Sequence, residues 1–139
     1  MNVAFFLTPK DAVVWVPSTV TLLEALAVMQ PHRHSAVPIL DPEEGRYLGT
    51  LTEGDALLHL QKVDKPWREA AAATRVSEID RWMKNDPIHI HDEMETLIAR
   101  VVIQSFVPVV DDRSVFVGLV LRKNVIDYCA RRAGILPPL

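Results

Sequence analysis

Ser35-Ala36-Val37-Pro38-Ile39-Leu40-Asp41, followed by Tyr47-Leu48-Gly49-Thr50-Leu51-Thr52, recurs later in the chain as Ser105-Phe106-Val107-Pro108-Val109-Val110-Asp111, followed by Phe116-Val117-Gly118-Leu119-Val120-Leu121. The chain is internally duplicated. A unit of this size does not bury its apolar face alone, so the two copies are expected to pack on each other and leave a shared cleft. Function should be sought there.

Each copy opens with a short extended segment rich in β-branched residues, Ala12 to Val16 and Ile88 to His91, with Val16 aligned to Ile90. A helix follows. In the first copy Ser18 or Thr19 can cap a run in which Leu22, Leu23, Ala25, Leu26 and Met29 recur at helical spacing. In the second, Asp92-Glu93-Met94-Glu95 reads as a capping box ahead of Leu97 to Ile103. Two strands come next, Ala36 to Leu40 and Tyr47 to Leu51, then Val107 to Val110 and Val115 to Val120, each pair joined by an Asp-containing turn. A closing helix ends each copy. The expected fold is α+β, with tandem β-α-β-β-α repeats packed as a pseudo-two-fold pair.

The copies differ in one place: Pro31-His32-Arg33-His34 separates Gln30 from Ser35, whereas Gln104 adjoins Ser105. The second copy therefore lacks about one helical turn. Between the copies, Lys62 to Ile79 holds Pro66 and the run Ala70-Ala71-Ala72-Ala73, a composition that favours a connecting helix over a flexible linker. The expected organisation is a first repeat at 1–61, a connecting helical segment at 62–75 and a second repeat at 76–139.

With 139 residues, 49% of them hydrophobic, the chain can bury a sizeable interior. Its net charge of −3 argues against sequence-independent nucleic-acid binding, which needs a basic surface. Cys129 is the one cysteine, so there is no intrachain disulfide and no zinc-ribbon spacing, which suits a reducing cytoplasm. Met1 to Leu7 is apolar but lacks a basic leader region and ends at Thr8-Pro9-Lys10-Asp11, far short of a membrane span. It is expected to be the first structural element, with no membrane association.

A strand ending in apolar-Pro, an Asp turn, a second strand with Gly, then Thr52-Glu53-Gly54-Asp55 opening a helix resembles the CBS domain. Two copies resemble a CBS pair, or Bateman module, over nearly the whole chain. That resemblance implies a regulatory module and not a catalyst. The shorter first helix of the second repeat and the basic pair Arg122-Lys123 resemble, more narrowly, stand-alone pairs of Gram-positive bacteria that bind cyclic di-AMP and contact metabolic or alarmone-synthesising enzymes.

In such pairs each nucleotide cleft joins the opening strand and apolar-Pro segment of one repeat to the Thr/Ser-x-x-Asp turn of the other. Carried onto this chain, the first cleft would join Lys10, Ala12, Ser35, Ala36 and Pro38 to Leu121, Arg122, Lys123 and Asn124. Arg122 and Lys123 would stand at a helix N-terminus, where free N–H groups and the helix dipole favour an anion. Arginine can grip a phosphate through two parallel hydrogen bonds, each worth roughly 1.5–3 kcal/mol. Leu121 replaces the family's ribose-binding Thr or Ser and Asn124 its Asp, so the pattern is better suited to phosphate than to a simple AMP ribose.

The second cleft would join Ile88, His89, Phe106, Val107 and Pro108 to Thr52 and Asp55. Its ribose pattern is complete, but Glu53 stands where the other turn has Arg122 and would repel phosphate, and Phe106 brings bulk into the adenine slot. The first cleft is the preferred site. Taken alone, Thr52-x-x-Asp55 is also an ordinary helix cap, and Arg122-Lys123 an ordinary solvated pair.

His32 with His34, and His89 with His91, raise a metal hypothesis, but no third ligand is adjacent, so no metal site is expected. Trp15, Trp67 and Trp82 read as core or interface aromatics. No nucleophile elbow, Walker loop or catalytic carboxylate pair fits the skeleton, so an enzyme is not expected and no cofactor is called for. The resemblance thus implies a homodimeric regulatory module sensing an adenine nucleotide, cyclic di-AMP first, and modulating a partner enzyme, and the lone cysteine suits a cytoplasmic setting. AMP, ADP or ATP sensing at Thr52 and Asp55, a ligand-free interaction scaffold, and metal sensing through the histidines are the alternatives.

Overall fold

The computed structural model of the protein describes residues 1–81 and 85–139; Trp82 lies outside the described residues. In chain order the elements are α1 (Val3–Phe6), β1 (Leu7–Pro9), a 3-10 turn (Lys10–Ala12), β2 (Val16–Pro17), α2 (Leu22–His32), β3 (Ala36–Leu40), β4 (Tyr47–Thr52), α3 (Glu53–Lys62), α4 (Trp67–Ala72), a second 3-10 turn (Val76–Glu78), β5 (Ile88–His89), α5 (Met94–Val101), β6 (Phe106–Val110), β7 (Phe116–Leu121) and α6 (Arg122–Arg132). They form two compact units, Val14–Lys84, and Met1–Val13 with Asn85–Leu139.

In the unit Val14–Lys84, β3 is the middle strand of a three-stranded sheet, parallel to β2 and antiparallel to β4. Apolar residues dominate β3 because it is buried along most of its length; Val37, Ile39 and Leu40 are fully covered. Pro38 sits one residue ahead of the two that β2 reaches, where a strand tolerates a missing N–H. The helical face Leu22, Ala25 and Met29 of α2 closes the core with Leu51, Ala56 and Val76. The connecting segment is tied in by α4, whose Ala70 and Ala71 are buried, and by backbone bonds from Leu22 to Thr74 and from Val76 to Val20.

The other unit repeats this plan with one addition. Its sheet runs β1-β7-β6-β5, with β5 parallel to β6 and β7 antiparallel to β6. The extra strand, β1, comes from the N-terminus and pairs antiparallel with β7, Pro9 opposite Gly118 and Leu7 opposite Val120. Val3 and Phe6 of α1 join a core of Ile88, Leu97, Val107, Val109, Val120 and Val125. The rings of Phe5, Phe6 and Tyr128 meet edge to face at 5.0–5.5 Å between centroids. The ranges 1–61, 62–75 and 76–139 divide the chain by duplication; compactness instead groups residues 1–13 with 85–139.

Strand pairing gives the alignment of the copies an internal measure. Both hairpins carry a register shift at the same place, between Ile39 and Leu40 and between Val109 and Val110. Val16 lies opposite Ile39 and Ile88 opposite Val109, so the partner of Val16 in the second copy is Ile88, not Ile90. The first helix also starts later than Ser18 or Thr19 suggest. Thr21 is its cap, its hydroxyl oxygen accepting from the Glu24 amide at 3.1 Å, while Ser18 still bonds Leu40 across the sheet. Nor does Asp92-Glu93-Met94-Glu95 form a capping box. Glu93 occupies the cap position without a side-chain bond, and the Asp92 carboxylate instead accepts from the His89 amide at 2.9 Å.

Two repeat-matched substitutions test this packing. Gly49 and Gly118 occupy equivalent strand positions with φ of 150° and 155°, so alanine strains both backbones alike. A Cβ on Gly118 would collide with the Thr8 carbonyl of β1, whereas one on Gly49 would meet the movable end of Arg81. In urea denaturation Gly49→Ala is expected to cost about 1 kcal/mol and Gly118→Ala about 3 kcal/mol. Equal costs would refute the close seating of β1. Ser114 (φ 65°) takes the left-handed position that Gly45 (φ 74°) fills in the first hairpin, so Ser114→Gly should raise stability by about 0.5 kcal/mol.

Candidate functional site

Each closing helix begins at a strand-to-helix junction held by one backbone bond. The Glu53 amide donates to the Ser35 carbonyl and the Arg122 amide to the Ser105 carbonyl, both at 2.9 Å. Ala36 pairs with Thr52, and Phe106 with Leu121. Within each unit, the Ser-x-x-Pro segment therefore lies beside the helix start of its own repeat: Ser35, Ala36 and Pro38 with Thr52, and Phe106, Val107 and Pro108 with Leu121 and Arg122.

The two helix starts differ in chemistry. At α3 the Thr52 hydroxyl accepts from the Asp55 amide at 3.0 Å while the Asp55 carboxylate accepts from the Thr52 amide at 3.2 Å, a closed capping box. Asp55 is only 3% exposed, and Glu53 adds a second acid to the first turn. The positive end of that helix is already answered from within. At α6, Leu121 holds the cap position with no side-chain bond, and the first turn has no acid. Arg122, Lys123 and Asn124 follow, Lys123 and Asn124 exposed and Arg122 half-buried.

Arg122 is anchored. Its Nε donates to the carbonyls of Val101 (2.7 Å) and Gln104 (3.1 Å), which are left open where α5 ends. Both bonds use Nε, so the two terminal guanidinium nitrogens are not committed by them, and the group is oriented before any ligand arrives. Lys10 and Ala12 stand on the turn after β1, beside the start of β7. Antiparallel pairing separates that turn from Leu121 by about 10–14 Å of strand. On β5, Ile88 is buried and His89 exposed.

A cavity of about 180 Å³ opens beside Asp55, lined also by His59, Lys62, Glu78, Asp80 and Arg81. The Thr74 hydroxyl gives its one proton to the Ala70 carbonyl at 2.9 Å, so at 3.0 Å from His59 Nε2 it must accept, and Nε2 carries a proton. His59, Lys62 and Arg81 escape a reading by motif. The signal available was helical spacing, since Asp55, His59 and Lys62 share one face of α3.

Among the described residues no cluster of three His, Cys, Asp or Glu side chains is placed to hold a metal. His32 and His34 stack on each other at 5.8 Å. No helix among the described residues is long and apolar enough to cross a membrane.

Residues 7–62 match the CBS domain family model. No curated protein matches the sequence. Among solved structures, CbpB of Listeria monocytogenes, in complex with c-di-AMP, is 22% identical with a TM-score of 0.83, covering 96% of this chain and 98% of that one. A conserved hypothetical protein of Geobacillus kaustophilus is 23% identical, with a TM-score of 0.83 over 95% of this chain and 98% of its own. The CBS domain of a bacterial CNNM/CorC family Mg2+ transporter is 23% identical, with a TM-score of 0.70 over 91% and 73%. Residues 7–62 therefore resemble a CBS domain in sequence, and the chain as a whole has the fold of the tandem CBS structures it matches.

Proposed function

We propose that the protein is a non-catalytic regulatory module that binds an adenine nucleotide, cyclic di-AMP first, and thereby changes its affinity for a partner protein. The observation that carries this reading is the uncapped, acid-free start of α6 with Arg122 and Lys123 on its first turn. An unanswered helix N-terminus beside an oriented guanidinium suits a phosphate. The choice of cyclic di-AMP is supported by the likeness to CbpB bound to that ligand. The ligand residues are those named from the sequence: Lys10, Ala12, Ser35, Ala36, Pro38, Leu121, Arg122, Lys123 and Asn124. Binding alters partner affinity only to the extent that the nucleotide prefers one conformation, which gives the module its regulatory role. A cytoplasmic homodimer acting on a metabolic or alarmone-synthesising enzyme completes the reading.

Isothermal titration is the direct test. Arg122→Ala would confound it, because losing the bonds to Val101 and Gln104 also loosens the end of α5. Lys123 is exposed and makes the cleaner probe. Cyclic di-AMP is expected to bind the wild-type protein and to bind Lys123→Glu at least about tenfold more weakly, while the melting midpoint of the free variant is equal to or above that of the wild type, because an acid in the first turn of α6 suits the helix dipole. Absence of cyclic di-AMP binding to the wild type would overturn the reading.

A second reading has its own support. Asp55, a carboxylate for ribose hydroxyls, borders a cavity in which Lys62 and Arg81 could meet a phosphate, with Glu78 and Asp80 on the same wall opposing them. AMP sensing there predicts that AMP at about a hundred times its Kd stabilises the fold by roughly 2.7 kcal/mol. Asp55→Asn keeps an oxygen to accept from the Thr52 amide, so it should abolish the AMP response while leaving the cap in place. If neither nucleotide shifts the melting midpoint, the ligand-free scaffold is the surviving reading.

A further inference from the structure

The two segments with no counterpart in the other repeat, the extra turn Pro31–His34 and the connecting helix α4, border one cavity. It measures about 500 Å³ and lies wholly within the unit Val14–Lys84. That is within the usual range for small-molecule sites, roughly 300–1,000 Å³. The side chains of Leu23, Leu26 and Met29 on α2 give it an apolar wall, and Trp67, half-exposed on α4, adds an aromatic face. Arg68 stacks on that indole with its guanidinium carbon 4.6 Å from the ring centroid, so both groups are held at the rim.

Arg33 stands at the opposite segment's edge of the same cavity. It caps α2 in the left-handed conformation, φ 53°, a place where glycine is strongly preferred and a side chain is a liability. The cap itself needs none of that side chain. Its bonds are backbone ones, from the Arg33 amide to the Gln30 and Met29 carbonyls. The guanidinium is thus retained at a conformational cost without serving the helix end. Glu53 is the one carboxylate on the wall against the two guanidiniums, leaving one positive charge in excess. Such a wall suits a single anionic head and does not suit a polyphosphate.

We infer that this cavity is a second ligand site, for a small amphipathic monoanion: an aromatic or aliphatic body carrying one carboxylate or sulfonate. The body lies against Leu23, Leu26 and Trp67 while Arg33 and Arg68 receive the head. The site does not depend on Arg122 or Lys123, so it stands or falls separately from the nucleotide reading.

The probe is 8-anilinonaphthalene-1-sulfonate, titrated into the full chain by calorimetry and by energy transfer from tryptophan. One molecule per chain is expected to bind. Arg33→Gly relieves the left-handed strain, so its melting midpoint should be equal to or above that of the wild type while binding weakens by about fivefold or more. Ala27→Trp, which adds bulk on the cavity wall, should abolish binding. The neutral N-phenyl-1-naphthylamine should bind at least about fivefold more weakly than the sulfonate. Lys123→Glu should bind the probe as the wild type does. Unchanged binding to Arg33→Gly, or displacement of the probe by saturating cyclic di-AMP, would overturn the assignment.

Discussion

The bond from the first amide of each closing helix to a serine carbonyl, Glu53 to Ser35 and Arg122 to Ser105, is the constraint on which the functional geometry depends. Each bond locks the end of one hairpin strand to the start of the other, so the helix departs from a fixed point. The strand registers Ala36 to Thr52 and Phe106 to Leu121 set that point identically in both repeats. What differs is the chemistry delivered there. Since the scaffold is the same, the contrast between the two turns falls on four positions in each, 52–55 and 121–124.

At α3 those side chains satisfy the helix end: a threonine and an aspartate bond each other's backbone, and a glutamate adds charge of the sign the dipole favours. At α6 they do the opposite. Leucine cannot cap, and the arginine and lysine raise the positive potential of an end that is already positive. Such an arrangement is unfavourable in isolation and is relieved by an anion. One junction is stabilised internally, and the other keeps an electrostatic deficit that a ligand can fill. Duplication followed by divergence of this kind accounts for one fold carrying two unlike helix starts.

Much of this was legible in the sequence because it is local. The strands Ala36–Leu40 and Phe106–Val110, their Asp turns and the helices after Thr52 and Leu121 follow from runs of apolar residues and a repeated order. Three features were not legible, for distinct reasons. Pairing of β1 with β7 joins residues more than a hundred positions apart, and nothing in Leu7-Thr8-Pro9 names its partner. The cap of α2 moved to Thr21 because Ser18 is still engaged with Leu40, a tertiary contact that outranks cap preference. Asp92 was drawn from a capping box to the amide of His89 because the strand end needed an acceptor. The candidate residues at the helix starts were named by motif. His59, Lys62 and Arg81 were not, since only the fold brings Arg81 beside α3.

Arg122 differs from an ordinary solvated arginine in that its guanidinium is held by backbone carbonyls. A solvated arginine gives up side-chain entropy to hold a phosphate, and that loss offsets much of the gain. Here Nε is already held by the carbonyl of Val101, the last residue of α5, and by that of Gln104 in the segment after it, in the repeat whose first helix is the shorter one. The shorter helix of the second repeat thus does more than depart from the duplicated pattern. It supplies the acceptors that orient the guanidinium, so the ordering cost is met during folding and less of it is charged to ligand binding. In the first repeat the extra turn of α2 instead brings Arg33 to a cavity of its own. One turn of helix, present in one repeat and absent in the other, therefore distinguishes where the two halves place their arginines.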